Sequence, residues 1–273
     1  MDKKIKLKRY ITILFLAVLF LGISLFAYSR ISLIGKKATL VFVDDDSRIE
    51  SYKNWLRLSK EENINITFAV IPEWINHGYS TTTTPKGEEV MSIEQLKEIY
   101  DNGNDVVSHG WSSTTLNDLL SNKEKIDSEL KNSKQWLIDN GFTRNDGDDI
   151  FVYPQGLKGT SEEQKIIQNK VSEYYEYGVN AFTEDKHFTL SNMDNLNIPR
   201  ATGDRSDSWK LKLQLDECIR DEGVMVVLTH AWHINDIDNG SYDKWSERYR
   251  ELIDYAKEQD VEITTLSNAL KNW

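Results

Sequence analysis

From residue 38 onward, short unbroken apolar runs alternate with stretches of helical periodicity. The runs at 38–43, 64–71, 105–108, 150–153, 178–182, 224–229 and 261–264 predict strands. They lack strict apolar–polar alternation, which predicts strands buried on both faces, as in a parallel sheet covered by helices. Ser92 and Gln95 form a capping box before a helix whose Ile93, Leu96, Ile99 and Tyr100 share a face, with Gly103 past its end. Ser121 and Glu124 repeat the device before a helix that turns Ile126, Leu130 and Leu137 inward and stops at Asn140-Gly141. The Thr81 to Thr84 run, closed by Pro85 and Gly87, reads as a loop. Strands alternating with helices predict an α/β fold, either an open doubly wound sheet or a closed, incomplete barrel. In both, functional groups belong at the carboxyl ends of the strands.

A separate apolar run at 11–28 follows Lys3, Lys4, Lys6, Lys8 and Arg9. Its length suits a transmembrane helix, and the basic flank places the amino end in the cytoplasm. Leu25-Phe26-Ala27 is a poor signal-cleavage site, so an uncleaved anchor over residues 1–34 is expected, with secretion after cleavage as the alternative. Residues 35–273 then form one extracytoplasmic domain. The net charge of -11 argues against nucleic acid as a partner. Cys218 is the single cysteine, so no internal disulfide forms, and it is expected to be a buried, inert thiol.

The polar residues that matter stand where strands stop. The first strand runs into Asp44-Asp45-Asp46, whose mutual repulsion calls for a cation. The third ends in His109, and the strand at 224–229 ends in His230. In any parallel α/β fold these groups converge on one face.

In these residues the chain resembles the polysaccharide deacetylases, the NodB-homology or carbohydrate esterase family 4 group. The matching segments are Phe42-Val43-Asp44-Asp45-Asp46-Ser47, His109-Gly110-Trp111-Ser112-Ser113, Phe151-Val152-Tyr153-Pro154-Gln155-Gly156 and Leu228-Thr229-His230. The resemblance implies an irregular or incomplete parallel (β/α) barrel, here with an N-terminal transmembrane helix. Its implied activity is metal-dependent removal of acetyl groups from an N-acetylated amino-sugar polysaccharide. It further implies Asp45 as catalytic base, with Asp44 as the alternative register, and His230 as general acid. Asp46 and His109 would hold a divalent metal, zinc above all, with cobalt or nickel as alternatives. Ser113 stands where the family has a second metal-binding histidine, and Val152 where it has the arginine that orients the base. The backbone N–H of Gln155 would receive the oxyanion.

Tyr153, Trp111, Arg200, Trp232 and His233 are the remaining candidates for the substrate side. Arg200 is also a candidate partner for an active-site carboxylate, and His233 a candidate replacement ligand. His77 reads as a surface residue in a loop, and Trp55, Trp136 and Trp245 as packing. Two other functions compete: a weak or inactive relative that binds glycan, and a glycoside hydrolase. The latter needs a second strand-end carboxylate, which the sequence does not offer.

Overall fold

The computed structural model describes residues 11–21, 37–79, 88–181, 183–189 and 191–272. The chain divides into two compact units, Met1–Lys36 and Lys37–Trp273. In the first, residues 11–21 form helix α1, whose Leu14, Phe15 and Phe20 are exposed. Among the described residues no helix is long and apolar enough to cross a membrane. The expected span therefore has no support from the described helix, and its remainder, 22–28, lies outside the described residues.

The second unit is built on parallel strands β1 (Thr39–Asp44), β2 (Thr67–Val70), β3 (Asp105–Ser108), β4 (Ile150–Val152), β5 (Tyr177–Val179), β6 (Ala201–Thr202), β7 (Val224–Thr229) and β8 (Glu262–Thr264). Their order is β5-β4-β3-β2-β1-β7-β6. β1 shares one edge between two partners: Thr39 to Val41 pair with β8, and Val43 and Asp44 pair with β2. The sheet curls until its ends meet, because Ile198, just before β6, makes a parallel bridge to Val179 of β5. This is the irregular (β/α) barrel, not the open sheet.

Helices α2 (Leu56–Glu62), α3 (Pro72–His77), α4 (Ile93–Asp101), α5 (Lys123–Asp139), α6 (Ser161–Val171), α7 (Ser208–Asp221), α8 (Ile234–Ile237), α9 (Tyr242–Glu258) and α10 (Leu266–Asn272) complete the unit. α4 begins with the Ser92–Gln95 capping box. α5 is capped instead by Asn122, whose side chain accepts from the Lys125 N–H, so Ser121 lies one residue outside the helix. Exposed His77 ends a short helix opened by Pro72, where the sequence suggested loop.

The barrel interior is an apolar column of Val41, Val43, Ala69, Val107, Val152, Val179, Ile198 and Val226. Leu266, Ala269 and Leu270 of α10 join it and stopper the amino-terminal end. Two N–H groups at the start of α10 are satisfied by Thr67 Oγ1 at 2.8 Å and Asp105 Oδ2 at 3.1 Å. Outside the barrel, Phe42, Trp55, Trp245 and Tyr249 stack with centroids 4.8–6.1 Å apart. Cys218 is fully buried in α7.

Candidate active site

Strand pleating separates the three aspartates. Val41 and Val43 point into the barrel, so Asp45 follows them inward, while Asp44 follows Phe42 to the helical layer. Asp44 Oδ1 accepts from Trp55 Nε1 at 3.0 Å, Thr229 Oγ1 at 3.0 Å and the Ala231 N–H at 2.8 Å. Its Oδ2 is buried with no hydrogen-bond partner among the described residues, and burial pushes the carboxyl up to about 8. This is a structural position, so the alternative register with Asp44 as base does not fit the geometry.

Asp45 is 2% exposed and receives Arg200 Nη1 at 2.9 and 3.0 Å on its two oxygens. Arg200 is itself fully buried and also donates Nε to the Asn180 carbonyl at 2.9 Å. Proposed above as a substrate contact or a carboxylate partner, it is the latter.

Asp46 leaves the strand with φ 83°. Its Oδ2 accepts from Trp232 Nε1 at 3.0 Å, and its Oδ1 lies 3.6 Å from His109 Nε2. Burial opposes its ionisation, but with both imidazoles protonated and no ion bound, His109 and His230 outweigh that and hold it well below the usual carboxylate range.

His109 donates Nδ1–H to the Val152 carbonyl at 2.9 Å. In the neutral ring Nε2 then presents its lone pair toward Asp46 and toward Asp45 Oδ2, 3.8 Å away. A buried imidazole lone pair facing two carboxylates lacks a donor of its own, and a divalent cation supplies the missing positive charge. The donor set of Asp46 and His109 therefore fits a metal.

Ser113, four residues on, is buried with φ 63°, yet it hydrogen-bonds to neither Asp46 nor His109 among the described residues. Its loop is fastened elsewhere. Glu129 of α5 accepts the N–H groups of Trp111 and Ser112 at 3.0 and 2.9 Å and the Ser112 hydroxyl at 2.6 Å. Gly110 turns this corner at φ 75°, where a Cβ would meet Pro154 Cγ at 3.3 Å.

On the opposite side, His230 donates Nδ1–H to Asp204 Oδ2 and its backbone N–H to Asp204 Oδ1, both at 2.7 Å. Burial works against its charge, but Asp204 and Asp46 raise the imidazole to about 10. Its Nε2 lies 3.8 Å from Asp46 Oδ2. Asp204, His230 and His233 are close enough together to suggest a metal cluster. With no ion bound, Asp204 and His230 form a dyad that holds a proton.

His233 stacks on Trp232 with centroids 3.9 Å apart and is depressed by burial. It stands beside His230, with ring centroids 5.7 Å apart, in the Asp204–His230–His233 group. Trp232 steadies Asp46 through its indole N–H. Trp111 is half-buried, and its carbonyl accepts the Glu73 N–H at 3.0 Å. Tyr153 departs from expectation: it is 2% exposed, and its hydroxyl donates to the Leu196 carbonyl at 2.9 Å, so it packs behind the site. Gln155 is exposed at φ 56° in the turn closed by Gly156 N–H to the Tyr153 carbonyl, and its own N–H has no partner among the described residues.

Sequence reasoning missed the roles of Asp204 and Glu129. Asp204 had a signal, since it lies four residues after Arg200. Glu129 had none, being one of many acidic residues on a helix.

The sequence pattern of the polysaccharide deacetylases matches residues 34–172. No curated protein matches the chain. Among solved structures, the deacetylase PplD of Streptococcus pyogenes, in complex with acetate, is 21% identical with a TM-score of 0.45; the match covers 59% of this chain and 62% of that one. The Bc1960 peptidoglycan N-acetylglucosamine deacetylase is 12% identical with a TM-score of 0.54, covering 85% and 91%. A BA3943 mutant, a carbohydrate esterase family 4 pseudoenzyme with restored enzymatic activity, is 14% identical with a TM-score of 0.52, covering 86% and 68%. At such identities the last two likenesses show a common fold.

Proposed function

Because the chain belongs to the polysaccharide deacetylase family, we propose that it hydrolyses the acetamide of an N-acetylated amino-sugar polysaccharide of the cell envelope or of a secreted glycan. The observation that carries this reading is the meeting of buried Asp45 and His109 with half-buried Asp46 and His230, each at a strand end and each with its own fixing partner.

Asp46 and His109 would hold a divalent ion, zinc, cobalt or nickel. When bound, such an ion supplies Lewis acidity that acidifies water and polarises an amide carbonyl. Asp45, oriented by Arg200, takes the proton of the attacking water. The unpartnered Gln155 N–H is available to the developing oxyanion. His230, kept protonated by Asp204, delivers a proton to the departing amine nitrogen. The apolar segment at 11–28 would anchor the domain at the outer face of a membrane. Protease added to intact cells tests that topology: a domain protected until lysis rejects it.

Ser113, in the place of the second histidine, favours a second reading, a glycan-binding relative with little activity. One assay separates the two. Acetate released from N-acetylglucosamine oligomers, measured by mass spectrometry with added zinc, cobalt or nickel, supports the hydrolase. Oligomer binding without acetate release under all three metals supports the binder.

A further inference from the structure

Asp46 stands between two imidazoles, its Oδ1 3.6 Å from His109 Nε2 and its Oδ2 3.8 Å from His230 Nε2. On the His230 side lies a separate set of donors. Asp204 follows β6, and His230 and His233 follow β7. The two strand exits bring a carboxylate and two imidazoles together, with one donor atom from each within 4.8 Å of the others. Asp204 Oδ1 accepts the His230 backbone N–H at 2.7 Å and has Tyr249 Oη at 3.3 Å. Among the described residues, its Oδ2 meets the His230 Nδ1–H alone, at 2.7 Å. His233 is held by stacking on Trp232, and its ring stands at 83° to that of His230. Its Nδ1 is buried and makes no hydrogen bond among the described residues, with Asp236 Oδ2 3.5 Å away. His230 and His233 are half-buried, so solvent reaches the group.

We propose that Asp204, His230 and His233 form a second divalent-metal site, distinct from the Asp46–His109 pair. One carboxylate and two imidazoles with solvent at the fourth position are a set that zinc takes. A tetrahedral zinc with bonds of about 2.0–2.1 Å spaces its ligand atoms about 3.4 Å apart, so the Asp204–His230 contact opens and the wider separations close by side-chain rotation. The ion replaces the proton between Asp204 Oδ2 and His230 Nδ1, and that proton passes to water. Asp204 Oδ1 keeps its contacts. The exchange adds one positive charge beside Asp46. If the chain is the hydrolase proposed above, on which this consequence rests, an ion here ties up His230 as proton donor. Excess zinc is then an inhibitor.

Calorimetry with zinc on the full chain tests the site. Wild type should bind an ion that His109→Ala retains and that His233→Ala weakens by at least about tenfold, no less than the loss of an outer-shell partner costs. A wild type without an ion sensitive to His233→Ala overturns the proposal. The unsubstituted protein gives a reading free of folding effects: zinc should move the ring nitrogen resonances of His230 and His233, two of the five histidines. Unmoved resonances overturn the site as well. In the acetate assay, excess zinc should slow the wild type, and His233→Ala should shift that inhibition to zinc concentrations at least about tenfold higher. Zinc bound at the site without inhibition rejects the inhibitory consequence. If the wild type releases no acetate with any metal, the hydrolase reading fails on its own, and calorimetry and the resonances still decide the site.

Discussion

Asp204 clasps His230 twice, through the imidazole Nδ1–H and through the backbone N–H, each at 2.7 Å. The carboxylate is fixed in turn, since Arg248 Nη1 donates to the Asp204 carbonyl at 3.0 Å and Tyr249 approaches Oδ1 at 3.3 Å. Asp204 therefore sets the ring orientation of His230 and makes the largest contribution to holding its charge, with Asp46 adding to it. Replacing Asp204 by Asn should lower kcat by about 100-fold, within the range that general acid catalysis contributes. His230 is raised from 6.5 to about 10 in the folded state. The stabilisation is accordingly complete below 6.5 and disappears as pH rises toward 10. The stability gap between wild type and Asp204→Asn should be widest near pH 6 and narrow toward pH 10, which thermal melts across that range will read.

Asp44 has the same pH sign as His230 for a different cause, burial of the carboxyl rather than an ion pair. Its folded-state value of about 8 lies above the ordinary 3.8, so the native protein holds a proton that the unfolded chain releases. Stability contributed here falls as pH rises from 3.8 to 8 and stays low above it. Asp44→Asn keeps an acceptor for Trp55, Thr229 and Ala231 and removes the charge. It should flatten the Tm profile between pH 4 and 8 and leave kcat within about threefold, while Asp45→Asn loses about 100-fold. Equal loss in both variants would restore the other register.

Ser113→His should place an imidazole beside the Asp46–His109 pair. Left-handed backbone, here φ 63°, is a region that histidine enters more readily than most residues. Zinc affinity, measured by calorimetry, should tighten by roughly tenfold or more, since imidazole is a far better ligand than a neutral hydroxyl. No tightening in a folded variant means that position 113 does not reach the metal.

Glu129→Ala should release the Trp111–Ser113 loop by removing the carboxylate that accepts the Trp111 and Ser112 N–H groups and the Ser112 hydroxyl. The expected loss is on the order of 2 kcal/mol in urea unfolding, smaller in Glu129→Gln, which retains a carbonyl acceptor. Matching losses in the two variants would assign the effect to packing.

Asp45, Asp46, His109 and His230 were visible in the sequence because buried parallel strands are apolar throughout, so a titratable group at their end stands out. The same contrast fails for Arg200. Named from the sequence as a candidate carboxylate partner, it precedes a two-residue strand whose place depends on β7 and on the bridge to β5, and strand periodicity does not mark it. The Ser121 cap was displaced by Asn122, an equally competent capping residue next to it. Tyr153 resembled a site residue because it lies within a motif. Pleating carries it to the outer layer with Phe151 and Tyr175, a distinction that depends on register and not on residue type.

The divided edge of β1 also governs how the site comes into being. The strand that presents Asp45 and Asp46 is bordered at its base by β8 and near its tip by β2, while β7 lines its whole other side. Its neighbours thus come from both extremes of the domain's sequence. Closing such distant pairings delays assembly, and no amino-terminal fragment that stops before residue 224 can build the catalytic face. Partly synthesised chains should therefore be chemically silent, with competence arriving in one late step once β7, β8 and the α10 stopper have docked.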